Sequence, residues 1–287
     1  MTAMIMKELR TYFSQITGYI FLSLAVLLTA LFFVMMNVFM LNPSYHQVLS
    51  SSTMLFFILI PTVTMRLFAD EVKNRTDQLL YTSPLSVWQI VLGKYLAASG
   101  LFLGTMVVTM LFPLTISRFG VLPVSQIVGA YIGYILMGLG FIALGLFLSV
   151  MSENQIVSAV ATFGAIFFFF ILDGLAGGVP ADANSSLVFV LALVLALAGV
   201  LYHSTKNVYG AAIVAAAGAG AAVIIFFVNR LVFDGIIGRL FTWLSVFSRF
   251  NNLTRGILNL ADIVFYVTFA LVFIYLTVNV IEKRRWR

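Results

Sequence analysis

Residue types able to do chemistry are scarce in this 287-residue chain, and the charged ones gather in one place. The stretch Ala69 to Lys94 carries Glu71, Lys73, Arg75 and Asp77 between two apolar runs. Glu71 and Arg75 stand four apart, as do Lys73 and Asp77, a spacing that on a helix surface gives pairs worth a few tenths of a kcal/mol. Alternating signs of this kind suit docking to a soluble partner, not bond-making. The sequence has no GxxxxGK[ST] phosphate loop, no HExxH and no GxSxG elbow between strand and helix. Cysteine is absent, which excludes disulfides, thiolate metal sites and cysteine nucleophiles. His46 and His203 stand apart from each other and from any carboxylate cluster, so they read as turn residues and not metal ligands. No catalytic residue and no metal site is expected.

The elements that must hold this island are set by composition. With 62% hydrophobic and 9% charged residues, the chain falls in the helical membrane class, and no segment is long and polar enough to bury a soluble core. The expected fold is an all-α polytopic bundle of about eight transmembrane helices, a single membrane domain over 1–287. Met1 to Gln15 puts Ile5, Leu9, Tyr12 and Phe13 on one stripe, which predicts an interfacial helix over 1–16. Apolar runs then follow at Thr17–Met40, Thr53–Phe68 after a polar turn Asn42–Ser52, up to Ile116 after the island, Ile127–Met151 and Ile156–Leu172. Pro61 should kink the second, and Gly129 and Gly133 allow close packing on the fourth. Ser186–Tyr202 and Tyr209–Val228 read as a hairpin of two spans, segment 186–228. From Leu231 to Phe250 a helical period with one polar face predicts an amphipathic helix within an outer segment over 231–260, and the last span runs Ile263–Ile281.

The island, 69–94, reads as helix, break, helix. Val72, Thr76, Leu79 and Leu80 share a side of the first helix, Ser83-Pro84 stops it, and Ser86 with Gln89 has capping-box spacing for the next. The same signals fit an ordinary solvated loop with chance pairs. With both termini inside, eleven Lys and Arg fall on the cytosolic side and five outside, which places the island and the short turn Ser152-Glu153-Asn154-Gln155 in the cytosol. Four of those five outside, Arg230, Arg239, Arg249 and Arg255, suit contact with lipid phosphates. The net charge of +6 lies at the ends of apolar runs, so anionic lipid and not nucleic acid is its expected partner. Intramembrane carboxylates are almost absent, which argues against an ion-driven carrier. Thr62, Thr64, Thr105 and Thr109 offer polarity without charge along a pathway. Asp173 is either a helix-end acid or part of a polar route. An uncharged route suits an amphipathic, lipid-like or peptide substrate, with Phe241, Trp243 and Phe247 near Arg239 and Arg249 to guide it outside.

Glu71, Thr76, Leu79, Leu80, Ser83, Pro84 and then Trp88-Gln89-Ile90-Val91-Leu92-Gly93-Lys94 resemble the signature of type-2 ABC exporter permeases, especially the branch with the gliding-motility-associated permease. That signature has an acidic-basic start, Gly-Thr-x-Glu-Leu-Leu, Ser-Pro and Trp-Gln-Ile-Val-Leu-Gly-Lys; here Arg75 replaces the usual glycine and Gln78 the usual glutamate. Ser152-Glu153-Asn154-Gln155 resembles the family's Glu-Asn-Gln turn. Thr254-Arg255-Gly256-Ile257 through Asp262 to Arg284-Arg285-Trp286 resembles its closing segment.

The resemblance implies a permease half-transporter in the bacterial cytoplasmic membrane. It pairs with a second copy or a paralogous permease, and cytosolic ABC ATPase subunits that hold ATP and Mg dock below. An auxiliary membrane protein and membrane lipids complete the expected partners, and this chain itself carries no cofactor. Coupling would fall to Glu71, Lys73, Arg75, Thr76, Asp77, Leu79, Leu80, Ser83 and Pro84, with Glu153, Asn154 and Gln155 as a second contact. The family core has six spans, so the hairpin would be an addition. Two other classes fit the residues: an ATP-independent secondary carrier, and an ATPase-coupled mechanical or assembly module that moves no solute.

Overall fold

The computed structural model describes residues 2–76, 85–118, 120–178, 182–230 and 233–285. The protein is an all-α polytopic membrane protein. Eight helical segments are long and apolar enough to cross a membrane, the second of them, His46–Lys73, made of several short helices in succession, and no strand occurs among the described residues. In chain order the helices are α1 Thr2–Ser14, α2 Ile16–Phe33 (continued by a π turn, Val34–Val38), α3 His46–Ser52, α4 Phe56–Thr64, α5 Ala69–Lys73, α6 Val87–Thr109, α7 Leu111–Ile116, α8 Val124–Met151, α9 Gln155–Gly178, α10 Ala183–Thr205, α11 Val208–Val228, α12 Ile236–Leu244, α13 Val246–Thr254 and α14 Leu260–Arg285. They divide into two compact units, residues 1–168 with 246–287, and residues 169–245.

The first unit is built on α8, which packs against α14, α13, α4, α6 and α3. Within its span 67% of residues are buried, against 17% in the first span, so α8 is the hub and α2 presents its apolar surface outward. Glycine makes this possible. At Gly133 a Cβ would come within 2.9 Å of the Phe250 ring and 3.0 Å of Leu253, so α13 lies directly on the glycine face that the sequence marked for packing. Phe56, Phe102, Tyr134, Phe141 and Phe247 fill the centre, with the Phe56 and Tyr134 rings 4.5 Å apart. Ser86 caps α6 as its spacing predicts: its Oγ accepts from Gln89 N at 3.3 Å and Gln89 Oε1 accepts from Ser86 N at 3.1 Å.

The N-terminal helix is no free raft on the lipid. Met4, Glu8 and Tyr12 are its buried stripe, and it packs along α6, where Gly93 leaves room for Met4. Phe13, expected on the apolar stripe, is exposed instead. The Tyr12 hydroxyl donates to Val63 O at 2.9 Å, and burial pushes this phenol well above its ordinary pKa, so it stays a neutral donor.

Three boundaries differ from the sequence reading. Residues 46–52, expected in a turn, form α3, because Val48, Leu49 and Ser52 bury against the bundle and Tyr134 Oη donates to Ser52 O at 3.1 Å. Asp173-Gly174 does not end the fifth run; α9 continues to Gly178. The expected amphipathic helix over Leu231–Phe250 is two helices, broken at Ser245, whose backbone is extended (φ −70°, ψ 123°).

In the second unit, α10 and α11 form the expected hairpin. Lys206, at φ +56°, turns the chain, Asn207 caps α11 by accepting from Gly210 N at 3.2 Å, and Gly218 admits Val194. Asp182 caps α10; the Ser185 backbone N–H holds its carboxyl below the usual range. Ala183, Ala222 and Phe233 close a small core.

Candidate functional site

Glu71 stands in the first turn of the charged island, and its environment is buried and polar. After Thr64 the helix breaks through Met65–Phe68 and restarts as the five-residue α5. A break of this kind leaves backbone N–H groups without helical acceptors. Here Ser149, fully buried on α8, takes them. Its Oγ accepts from Phe68 N at 3.1 Å and from Ala69 N at 3.2 Å, and donates to Met65 O at 3.3 Å. Three residues later α8 ends in the Ser152–Gln155 turn, so one side chain ties the start of the island to the base of the second polar element.

The island's carboxylate turns inward. Glu71 Oε1 accepts from Lys94 Nζ at 2.8 Å and lies 3.9 Å from Lys7 Nζ. Lys94 Nζ also donates to Glu8 Oε1 at 3.0 Å and to Leu67 O at 2.6 Å, and sits 5.0 Å from the centre of the Phe68 ring. An ammonium has three N–H donors, and all three are used. That is the condition under which a charge whose side chain is 2% exposed can stay out of water. The knot joins α1, the break before α5, α5 itself and α6. The Glu71–Arg75 pair expected from spacing does not form among the ion pairs of the described residues, because Glu71 faces Lys94 instead. Arg75 has φ +57°, a left-handed backbone that favours glycine, which accounts physically for the glycine the signature carries at this position. Lys73, Arg75 and Thr76 are exposed, and Thr76 N donates to Glu71 O at 2.9 Å. Asp77, Leu79, Leu80, Ser83 and Pro84 lie outside the described residues, as does the Lys73–Asp77 pair.

At the second polar element, Glu153 and Asn154 are exposed and Gln155 half-buried; Asn154 Oδ1 accepts from Ile156 N at 2.9 Å and starts α9. The four threonines are not brought together as a polar line. Thr64, Thr105 and Thr109 are buried and Thr62 half-buried, and each hydroxyl donates to a carbonyl of its own helix at 2.6–2.9 Å. Asp173, inside α9, accepts from Ser245 Oγ at 2.7 Å. Phe241 packs on Phe189 at 5.8 Å and Trp243 is exposed, whereas Phe247 is buried. Arg249, expected at lipid phosphates, pairs with the buried Asp262 at 3.0 Å and stacks 4.1 Å from the centre of Phe265.

Two carboxylates were missed in the sequence. Glu8 was legible, since it falls in register with Met4 and Tyr12 at four-residue spacing on a stripe that buries. Asp262 was noted only as part of a motif, with no sign of its partner. Ser149 gave no signal at all.

The site is a charged, internally braced element between the second and third spans of a polytopic helical bundle. Residues 42–194 match the family described as ABC-2 family transporter protein, just over half of the chain, including both polar elements. The chain belongs to the ABC-2 transporter family and is the permease component of an ABC transporter. That class works with an ABC ATPase subunit and is generally non-catalytic itself. No curated protein and no solved structure matches the chain.

Proposed function

We propose that this chain is the permease subunit of an ATP-driven exporter of the bacterial cytoplasmic membrane, close to the branch with the gliding-motility-associated permease. Both termini are cytosolic, and it pairs with a second copy or a paralogue. Residues 69–94 form the coupling element and Glu153, Asn154 and Gln155 the second contact for ATPase subunits, which hold the ATP and Mg. The observation that carries the reading is Ser149: by holding the backbone of Phe68 and Ala69 from the end of α8, it makes a push on either polar element a push on both. The Lys94 knot extends the same body to α1 and α6. Closure of the ATPases would then move these helices together, a rigid-body switch between two states.

The substrate we infer is amphipathic, lipid-like or a peptide. A cavity of about 610 Å³ lies beside the π turn of the first span, lined by Phe33, Val38, Leu41 and Ile116 with the amides of Asn37 and Asn42. Its volume and its few polar groups among apolar walls suit such a molecule. Thr62, Thr64, Thr105 and Thr109 are proposed polar positions of the route although each hydroxyl is bonded within its own helix, and Asp173 is proposed separately in the second unit.

Purification of the tagged chain should bring down an ABC ATPase. Replacing Leu79 and Leu80 with Asp should abolish that association and leave membrane insertion intact, while Ser149→Ala should keep the ATPase bound but lower transport per ATP hydrolysed. Unchanged pull-down from the double Asp variant would sink the coupling assignment. Lipids or amphipathic peptides should stimulate ATP hydrolysis by the reconstituted complex; stimulation by small ions or sugars alone would overturn the substrate class.

A further inference from the structure

Beside the Lys94 knot is a second, smaller cavity, of about 150 Å³. That is about half the smallest volume typical of drug-sized ligand sites, so it is no substrate chamber. It lies between α1 and the end of the second span, at the level where apolar helices give way to charge. Its lining includes three cations, Lys7, Arg66 and Lys94, and three carboxylates, Glu8, Asp70 and Glu71. The balance of signs disfavours a purely anionic or purely cationic occupant.

The pairing within this set is incomplete. Lys94 uses Glu8 and one oxygen of Glu71. The other oxygen, Glu71 Oε2, is buried and has no hydrogen-bond partner among the described residues. The same holds for Arg66 Nε, although the guanidinium reaches Gln15 Oε1 at 3.2 Å through its other end. A buried donor and a buried acceptor left open on two residues of one small cavity are each costly, and one molecule with both a strong acceptor and a strong donor relieves both.

We propose that this cavity is a binding site for the headgroup of phosphatidylethanolamine. The phosphate faces Arg66 and Lys7, with the guanidinium turning to present its free N–H groups, and the primary ammonium donates to Glu71 Oε2 and Asp70. A choline headgroup carries no N–H and leaves the acceptor open; a glycerol headgroup brings no positive charge to the carboxylates. The cavity's position among span ends commits the occupant to a membrane lipid and not a soluble metabolite. This site does not depend on the coupling role, since binding is measured on the permease alone.

The test uses the full-length chain, purified and stripped of lipid, titrated with phosphatidylethanolamine, phosphatidylcholine, phosphatidylglycerol and soluble phosphoethanolamine. Lipid retention is read by native mass spectrometry and stabilisation as a shift in Tm. Phosphatidylethanolamine should bind about tenfold more tightly than phosphatidylcholine, the effect of one charge-assisted hydrogen bond. Asp70→Asn should remove that preference, and Arg66→Gln should weaken both lipids about equally, judged by the lipid-induced increment and not by the absolute Tm. Lys7→Gln, at a well-exposed position, should weaken binding and leave the fold undisturbed. Equal binding of ethanolamine and choline lipids, stronger binding of phosphatidylglycerol, no lipid response, an unchanged preference in Asp70→Asn, or unchanged binding in Arg66→Gln would overturn the proposal. An equal response to soluble phosphoethanolamine would overturn the lipid assignment.

Discussion

At the scale of single residues, the chain keeps one ammonium out of water by giving every one of its protons an acceptor. Lys94 is therefore a residue whose removal should cost more than its contacts suggest, because Glu8 and Glu71 would then face each other without a cation. Lys94→Met should destabilise the purified permease by about 3–5 kcal/mol, the range for a broken buried pair. Adding Glu8→Gln and Glu71→Gln should recover most of the loss, since a neutral set no longer carries uncompensated charge; thermal unfolding of the single and triple variants checks both statements. A single variant as stable as the parent would mean that water or protonation already compensates the site. This residue-level design was half legible. The Glu71 charge and the Lys94 motif position could be read directly, but their meeting could not, because local spacing offered Glu71 a nearer partner in Arg75. That offer fails because Glu71 faces Lys94 instead, while the backbone at Arg75 turns left-handed.

At the scale of elements, apolar length decided most of the architecture. Each expected span falls within a helical segment long enough to cross the bilayer core, although the second reaches that length only by combining α3, α4 and α5 over His46–Lys73. Two of the missed boundaries share one cause, which is tertiary satisfaction of a residue that looks local. His46–Ser52 is polar in sequence, yet it is helical because its apolar members bury and Tyr134 takes Ser52 O. Asp173 looked like a stop, but Ser245 supplies its carboxylate with a donor inside the helix. The break at Ser245 itself has no proline or glycine to announce it. Packing between elements gives a paired prediction. At Gly129 a Cβ would collide with the Leu253 carbonyl, whereas Gly164 has nothing within 4 Å. Gly129→Ala should therefore destabilise by about 1–3 kcal/mol through overpacking, and Gly164→Ala should be neutral or stabilising by up to about 1 kcal/mol. Equal effects in unfolding measurements would show that α8 and α13 do not approach as described.

At the scale of the whole molecule, eight helical segments able to cross a membrane make the two ends of the chain face the same side if all of them do so. The absence of cysteine makes this testable without background. Cysteine introduced at Ser44, Asn184 or Asn251 should react with an impermeant reagent in intact cells, and cysteine at Asn74 or Asn207 should not. Reaction at Asn207 would break the two-span reading of α10 and α11. The knot around Lys94 has a further meaning in time. Glu8 and Lys94 are 86 residues apart, so at ordinary translation rates the acid leaves the ribosome roughly 4–17 seconds before its counter-ion exists. During that interval α1 has no place to bury Glu8 and must wait at the water-facing surface of the membrane. Only when α6 arrives can the first helix settle, so the buried ion group doubles as a clock that orders assembly, with the first helix locking together with the third span and not ahead of it.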